Sequence, residues 1–450
     1  MLRKTLQLTM PKIGIAWMFA LLTVNFNRVA IYDLGVAALV VTLILGIYPL
    51  FAPTQPLFAR FIDRRPLLGF RRGPYLLIGM LAAGAVFPLL PWVALELRAG
   101  NAMAVVIGIV LMVIFGLGIA LIANTYLDLV AETTDERSRS GVFAVAWTAQ
   151  TAAIVLWAFV FQQLMPTLDL QAMQNLYNLT PLVCLFTTLL GIVGLERRLT
   201  PAELLQVQQD PPRADPVGNP LAALRVLRTN RPAGRFFSFV FLAITAIFLQ
   251  DAVLEVYGAQ VLGMSVAATA TLQQVWNGAV LIAMLITSPV VAILAARLPA
   301  ASGELPAFKR TIATAGGLVA TLGLGALALT AFQAQVAGMY AALVLMGLGA
   351  GVFTAVVVTM MSDMTIEGAT GRYLGLWSMA QAFATSFAFV ASGALYSGLV
   401  ETALLSPSAG FAAIFGVEGL TMLVAVVVLQ TISVAAFRGV AKRDLGRALI

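Results

Sequence analysis

The stretch DLVAETTDERSRSGVFAVAWTAQ, Asp128 to Gln150, is answered 235 residues later by DMTIEGATGRYLGLWSMAQ, Asp363 to Gln381. At that single offset Asp128, Glu132 and Arg137 fall on Asp363, Glu367 and Arg372. Further on, with a one-residue slip between them, Trp147 and Gln150 fall on Trp377 and Gln381. Two acids and an arginine at matched spacing, each set following a long apolar run, argue that the chain contains one unit twice.

Those apolar runs set the class of protein. Hydrophobic residues make up 60% of the 450 and charged residues 10%, with mean hydropathy +0.95. A soluble domain carries about 25% charged residues. A membrane-crossing helix needs about 20 mostly apolar residues. Twelve stretches qualify, near 13–31, 36–58, 74–95, 102–125, 141–165, 177–195, 236–254, 266–296, 311–331, 336–361, 373–397 and 411–437. The basic, apolar N-terminus resembles a signal peptide, but no small-x-small cleavage site follows, so it reads as a retained first span. Between the sixth and seventh spans lies a Pro-, Gln- and Arg-rich segment including TPAELLQVQQDPPRADPVGNP, too polar to cross. The expected organisation is a six-helix bundle over 1–195, a cytoplasmic linker over 196–235 and a second six-helix bundle over 236–450.

The 27 Lys and Arg residues give the chain its orientation. Taking alternate loops, all but Arg28 and Arg98 fall on one side, which the positive-inside rule makes cytoplasmic, with both termini there. The formal charge of +7 is therefore topological, and nucleic-acid binding loses its main support. With no histidine and one cysteine, Cys184, the chain has no disulfide, no CxxC and no metal-ligand cluster. No nucleophile–base arrangement appears either, so an enzyme is not expected.

Two parallel six-helix repeats are the architecture of the major facilitator superfamily, and the loop after the second span is similar to that superfamily's cytoplasmic motif. It reads ARFIDRRPLLGFRR, Ala59 to Arg72, with Ala59 where the motif has Gly and with extra residues before Gly69. The equivalent C-terminal loop, ARLPAASGELPAFKR, lacks the acid. The resemblance implies that Asp63, Arg64, Arg71 and Arg72, with the duplicated Asp128, Glu132, Arg137 and Asp363, Glu367, Arg372, brace a cytoplasmic gate. Asp63 is expected to pair with a helix N-terminus or with a cation across the two halves. The alternative is a plain positive-inside anchor.

A second pair of acids stands in FLQDAVLEVYGAQ, Phe248 to Gln260. Counting from Arg235 at 1.5 Å per residue, Asp251 lies about 24 Å and Glu255 about 30 Å along the seventh helix, near its far edge. Arg28 and Asp33 occupy similar depths in the first helix. An Arg28–Asp251 ion pair closing the periplasmic mouth is the expectation, since a paired charge is tolerated where a single one is costly; charges that reach outward to water are the alternative.

QDAVLEVYGAQVLGMSVAAT, NRVAIYDLGVAA and the duplicated Asp-x3-Glu loops resemble the bacteriochlorophyll delivery family, the PucC/LhaA-type branch of the superfamily, over essentially all twelve spans. The resemblance implies a light-harvesting antenna assembly factor of the bacterial photosynthetic membrane. Its expected cargo and partners are (bacterio)chlorophyll or a precursor, antenna polypeptides or a reaction-centre–antenna complex, and lipid. Without histidine, magnesium takes an oxygen ligand. Candidate polar ligands inside spans are Asn25, Asn124, Gln150, Gln273, Gln274, Asn277 and Gln381, set against helix–helix hydrogen bonding. Trp147, Trp276 and Trp377 are candidates to stack on a macrocycle, set against packing, as are Trp17 and Trp157. Glu418, alone in the last span, is a candidate proton site, with a protonated structural acid as the other reading. The alternative function is a proton-coupled secondary transporter of a small amphipathic solute.

Overall fold

Long runs of Leu, Val, Ala and Ile in lipid leave the backbone only itself to bond with, and helices satisfy every such group within one segment. The computed structural model describes residues 2–201, 203, 204, 227, 230–297, 304–365 and 370–440. Among them are twelve helices long and apolar enough to cross a membrane. The first six are Arg3–Asp33, Ala38–Arg64, Gly73–Arg98, Ala102–Thr133, Gly141–Leu164 and Leu170–Ile192. The second six are Arg231–Gln260, Val266–Val291, Pro306–Gln333, Val336–Asp363, Tyr373–Glu401 and Pro407–Gln430. Each overlaps a span expected from sequence. The fourth, sixth, seventh and twelfth begin on side-chain caps from Asn101, Asp169, Asn230 and Ser406, which accept from main-chain N–H groups of the first turn.

The chain forms two compact units, Met1–Ala214 with Gly263–Gln274, and Asp215–Leu262 with Val275–Ile450. The opening of the eighth span thus counts with the first unit. There Ala270 packs on Val24 and Ala158, the Ala267 N–H donates to the Pro166 carbonyl at 3.3 Å, and Gln274 donates to Gln162 at 3.3 Å. Most of the expected linker lies outside the described residues.

Within each unit the third and fourth of its spans, or their repeats, meet backbone to backbone through small residues. In the first, a Cβ on Gly118 would lie 3.0 Å from the Ala83 nitrogen and 3.0 Å from the Gly79 carbonyl oxygen. In the second, a Cβ on Gly349 would lie 2.2 Å from the Ala320 nitrogen; on the side facing the eighth span, one on Gly347 would lie 2.8 Å from the Trp276 carbonyl oxygen. The GLGAG run from Gly347 is therefore a helix-packing surface. Gly349→Ala is expected to lower stability by about 1–3 kcal/mol, because the atoms in the way are backbone. Gly325→Ala, with open space around it, serves as the control and should change stability by less than about 1 kcal/mol. Thermal unfolding of the purified variants in detergent measures both, and equal melting temperatures would remove the packing argument.

Candidate functional site

At the end of the first unit where the second span finishes and the third begins, charge converges on Arg72. Its side chain is fully buried and takes Asp63 at 2.6 Å, Asp128 at 3.0 Å and Glu132 at 3.0 Å. Asp63 comes from the second span, Asp128 and Glu132 from one face of the fourth at i, i+4. Burial alone lowers the tendency of Arg72 to hold its proton; Asp128, Glu132 and Asp63 together reverse that and raise it above the ordinary arginine value. Asn124 donates to Asp128 at 3.3 Å, so it orders this cluster.

The expected partner of Asp63, a helix N-terminus or a cation on the other half, is replaced by Arg72 nine residues along. The N-terminus of the third span belongs to Glu196 instead. Its carboxylate accepts from the main-chain N–H groups of Arg71 at 2.6 Å, Arg72 at 2.9 Å and Gly73 at 2.8 Å. These are the groups a helix start leaves without partners. Glu196 escaped the sequence reading because it stands where the sixth span gives way to the linker. Arg64 is exposed.

The second unit repeats the arrangement in reduced form. Asp363, the mate of Asp128, binds Lys309 at 2.6 Å, and Lys309 opens the ninth span much as Arg72 opens the third. The paired cations Arg71-Arg72 and Lys309-Arg310 were the available signal for this second hub. Glu367 lies outside the described residues, as do the side chains of Arg137 and Arg372.

The other charged positions gather where the first and seventh helices lose regular α geometry. The first widens into π turns over Leu21–Phe26 and Val29–Asp33. The seventh tightens into a 3-10 turn over Leu249–Ala252 before resuming at Leu254. With the offset of 223 that relates Arg28 to Asp251, the pairs Asn27-Arg28 and Gln250-Asp251 occupy equivalent breaks. Interrupted spans at matched positions of two repeats are a mark of binding sites in this architecture.

In the first unit Arg28 is buried, pairs with Asp33 at 3.7 Å and donates to the Met264 carbonyl at 3.3 Å. Asn25 accepts from the Tyr177 hydroxyl at 3.1 Å and directs its amide toward the Met165 sulfur at 3.9 Å. In the second, Glu255, Gln250 and Glu418 are all fully buried. Asp251 and the Gln250 main chain lie near Glu418, whose carboxylate oxygens have no hydrogen-bond partner among the described residues. Neither side-chain amide atom of Gln250 has a hydrogen-bond partner. Gln250 was not singled out from sequence, where it reads as one more polar residue at a span's edge.

The remaining candidates divide by what they touch. Trp377 is core: its N–H donates to the Met364 carbonyl at 3.1 Å and its ring packs edge-on against Phe236. Trp17 and Trp157 tie their N–H groups to Thr180 and to the Ile13 carbonyl. Trp276 is buried against the glycine face of the tenth span. Gln381 points its amide at the Met361 sulfur; Gln273 is buried and Asn277 half-buried. Trp147 differs from the others, with its ring half exposed. No group of three or more His, Cys, Asp or Glu suited to a metal ion occurs among the described residues.

Two six-helix repeats with broken first helices define a membrane protein of the major facilitator fold, and solved structures agree. The D-xylose–proton symporter superposes with TM-score 0.68 at 14% identity, covering 94% of this chain and 97% of its own. A POT family transporter in complex with 5-aminolevulinic acid gives 0.65 at 14% identity, covering 96% of each. The chain belongs to the PUCC protein family, whose model matches residues 25–437. Among its relatives is the Rhodobacter capsulatus "Bacteriochlorophyll synthase 44.5 kDa chain", 26% identical over 97% of this chain and 96% of that one. Another is "Protein PucC" of Cereibacter sphaeroides, 25% identical over 96% and 93%.

Proposed function

We propose that this chain is a light-harvesting antenna assembly factor that binds or delivers (bacterio)chlorophyll, antenna polypeptides or both in a bacterial photosynthetic membrane. The observation that carries the proposal is the end-to-end relationship to proteins whose names join pigment synthesis and PucC. The fold by itself licenses no activity. The site supports a hydrophobic cargo. Its breaks carry the amides of Asn25, Asn27 and Gln250 beside charges that are paired, as Arg28 is with Asp33. In this proposal pigment is cargo, carried without chemistry on it. Arg28, Asp33, Asp251 and Glu255 form the outer gate in this proposal, and the Arg72 and Lys309 hubs the cytoplasmic one.

A second reading, proton-coupled transport of a small amphipathic solute, is favoured by Glu418, buried beside Asp251. Protein purified from its native membrane separates the two. Co-purified pigment absorption or antenna polypeptide is the expected result. Clean apoprotein that moves protons into vesicles on adding a soluble substrate, and loses this in Glu418→Gln, would establish the transporter instead. In the native host, Asp251→Asn and Glu255→Gln are expected to reduce antenna absorbance several-fold while protein level holds. Unchanged antenna in both variants would remove these acids from the function.

A further inference from the structure

Lys12 is where the two repeats part company. A lysine serving only as a positive-inside anchor reaches water, and Arg235, its equivalent in the seventh span at the offset of 223, is exposed as that role requires. Lys12 is only 7% exposed. Its ammonium sits 4.7 Å from the ring centroid of Tyr126 and 4.1 Å from that of Trp147. No Asp or Glu among the described residues pairs with it. Two aromatic faces soften the desolvation of an ammonium, but a buried charge still calls for a counter-ion.

The surrounding groups are left open in the same way. The Tyr126 hydroxyl is buried without a hydrogen-bond partner, and so is the Gln150 side-chain oxygen, one turn along from Trp147. In the second unit the positions equivalent to Tyr126, Gln150 and Trp147 are closed. Met361 stands in place of Tyr126, Gln381 in place of Gln150 directs its amide at Met361, and Trp377 is sealed in the core at 1% exposure against 54% for Trp147. One repeat has turned its cation out to water and packed the other three positions shut, and the other keeps a buried cation, a hydroxyl, an amide and a half-exposed indole together.

We infer that Lys12, Tyr126, Trp147 and Gln150 form a binding site for a planar apolar molecule that carries one carboxylate. Lys12 and the Tyr126 hydroxyl take the carboxylate, the Gln150 side-chain oxygen accepts from a donor elsewhere on the ligand, and the Trp147 ring takes the flat face. The inference rests on the pigment reading above and turns it toward the precursor: mature bacteriochlorophyll is an ester, and the form recognised here is the free acid of the tetrapyrrole before that ester is made.

The test is titration of the full chain, in phosphatidylcholine nanodiscs, with bacteriochlorophyllide and with its methyl ester, followed by tryptophan quenching and pigment absorption. The free acid is expected to bind wild type about tenfold or more tightly than the ester, the worth of one charge-assisted contact in a buried site. Lys12→Gln should weaken binding of the free acid about tenfold and so abolish that preference, with a wild-type circular dichroism spectrum showing that the variant is folded. Lys12→Arg should keep most of it. Equal binding of acid and ester to wild type overturns this inference alone, and so does a preference that survives in Lys12→Gln. Binding of neither form overturns the pigment reading and the inference with it. Loss of the preference in phosphatidylglycerol nanodiscs would assign the site to an anionic lipid headgroup and overturn the proposal.

Discussion

Arg72→Met is expected to cost the folded protein about 3–5 kcal/mol, because it leaves three carboxylates converging on an apolar side chain. Asp63, Asp128 and Glu132 lie within 3.0 Å of one guanidinium whose side chain is fully buried. Their own side chains remain 21–27% exposed, so partial rehydration should hold the loss toward the lower end of that range. Arg72→Lys should recover only part of it. An ammonium is a single point of charge, whereas Arg72 engages Glu132 through both Nε and Nη2, Asp63 through Nη2 and Asp128 through Nη1. Lys309 shows what a lysine accomplishes at the equivalent place: among the described residues it makes one bond, to Asp363. Fluorescence-detected size exclusion after stepwise heating measures the loss. A wild-type profile for Arg72→Met would mean that the cluster is ornamental, and the bracing role assigned to it would fall.

How the sequence carried this information differs between fold and site. The twelve spans were legible because a lipid-crossing helix depends on summed hydropathy over about 20 residues, which tolerates error at any one position. The duplication was legible because Asp128 and Asp363 keep their spacing to neighbouring acids. The hub on Arg72 was not. Counting cations by side of the membrane treats Arg72 and Arg64 alike, although one is buried among acids and the other exposed. Glu196 was hidden for a related reason: its partners are main-chain N–H groups more than 120 residues away, and backbone donors leave no mark in composition. The breaks in the first and seventh helices carry no proline, the usual sign of an interrupted helix. Only the unusual density of polar residues, NFNR and LQDA, pointed there. Trp377 and Trp147 are matched in the two repeats and differ in exposure, since burial is decided by what packs against a side chain and not by the side chain itself.

Arg28→Gln is the second substitution expected to cost several kcal/mol, and its rescue pattern decides how the outer gate is wired. Arg28 is buried, and Asp33 at 3.7 Å is nearly so. Removing one member of such a pair leaves the other charge in a poorly solvated place, at about 3–5 kcal/mol; removing both with neutral isosteres is far cheaper. Arg28→Gln with Asp33→Asn should therefore unfold close to wild type, and the coupling measured by the double-mutant cycle should exceed about 1 kcal/mol. The guanidinium also bonds the Met264 carbonyl, a contact that neither asparagine nor glutamine restores in full, so complete recovery is not expected. The proposed pairing of Arg28 with Asp251 makes a separate demand: Asp251→Asn must also relieve Arg28→Gln. Relief by Asp33→Asn alone confines the ion pair to the first unit and leaves Asp251 to act with Glu418 in the second. Relief by Asp251→Asn alone assigns the guanidinium to the gate between halves. If neither asparagine helps, pairing with Asp33 or with Asp251 has no part in the cost of losing Arg28.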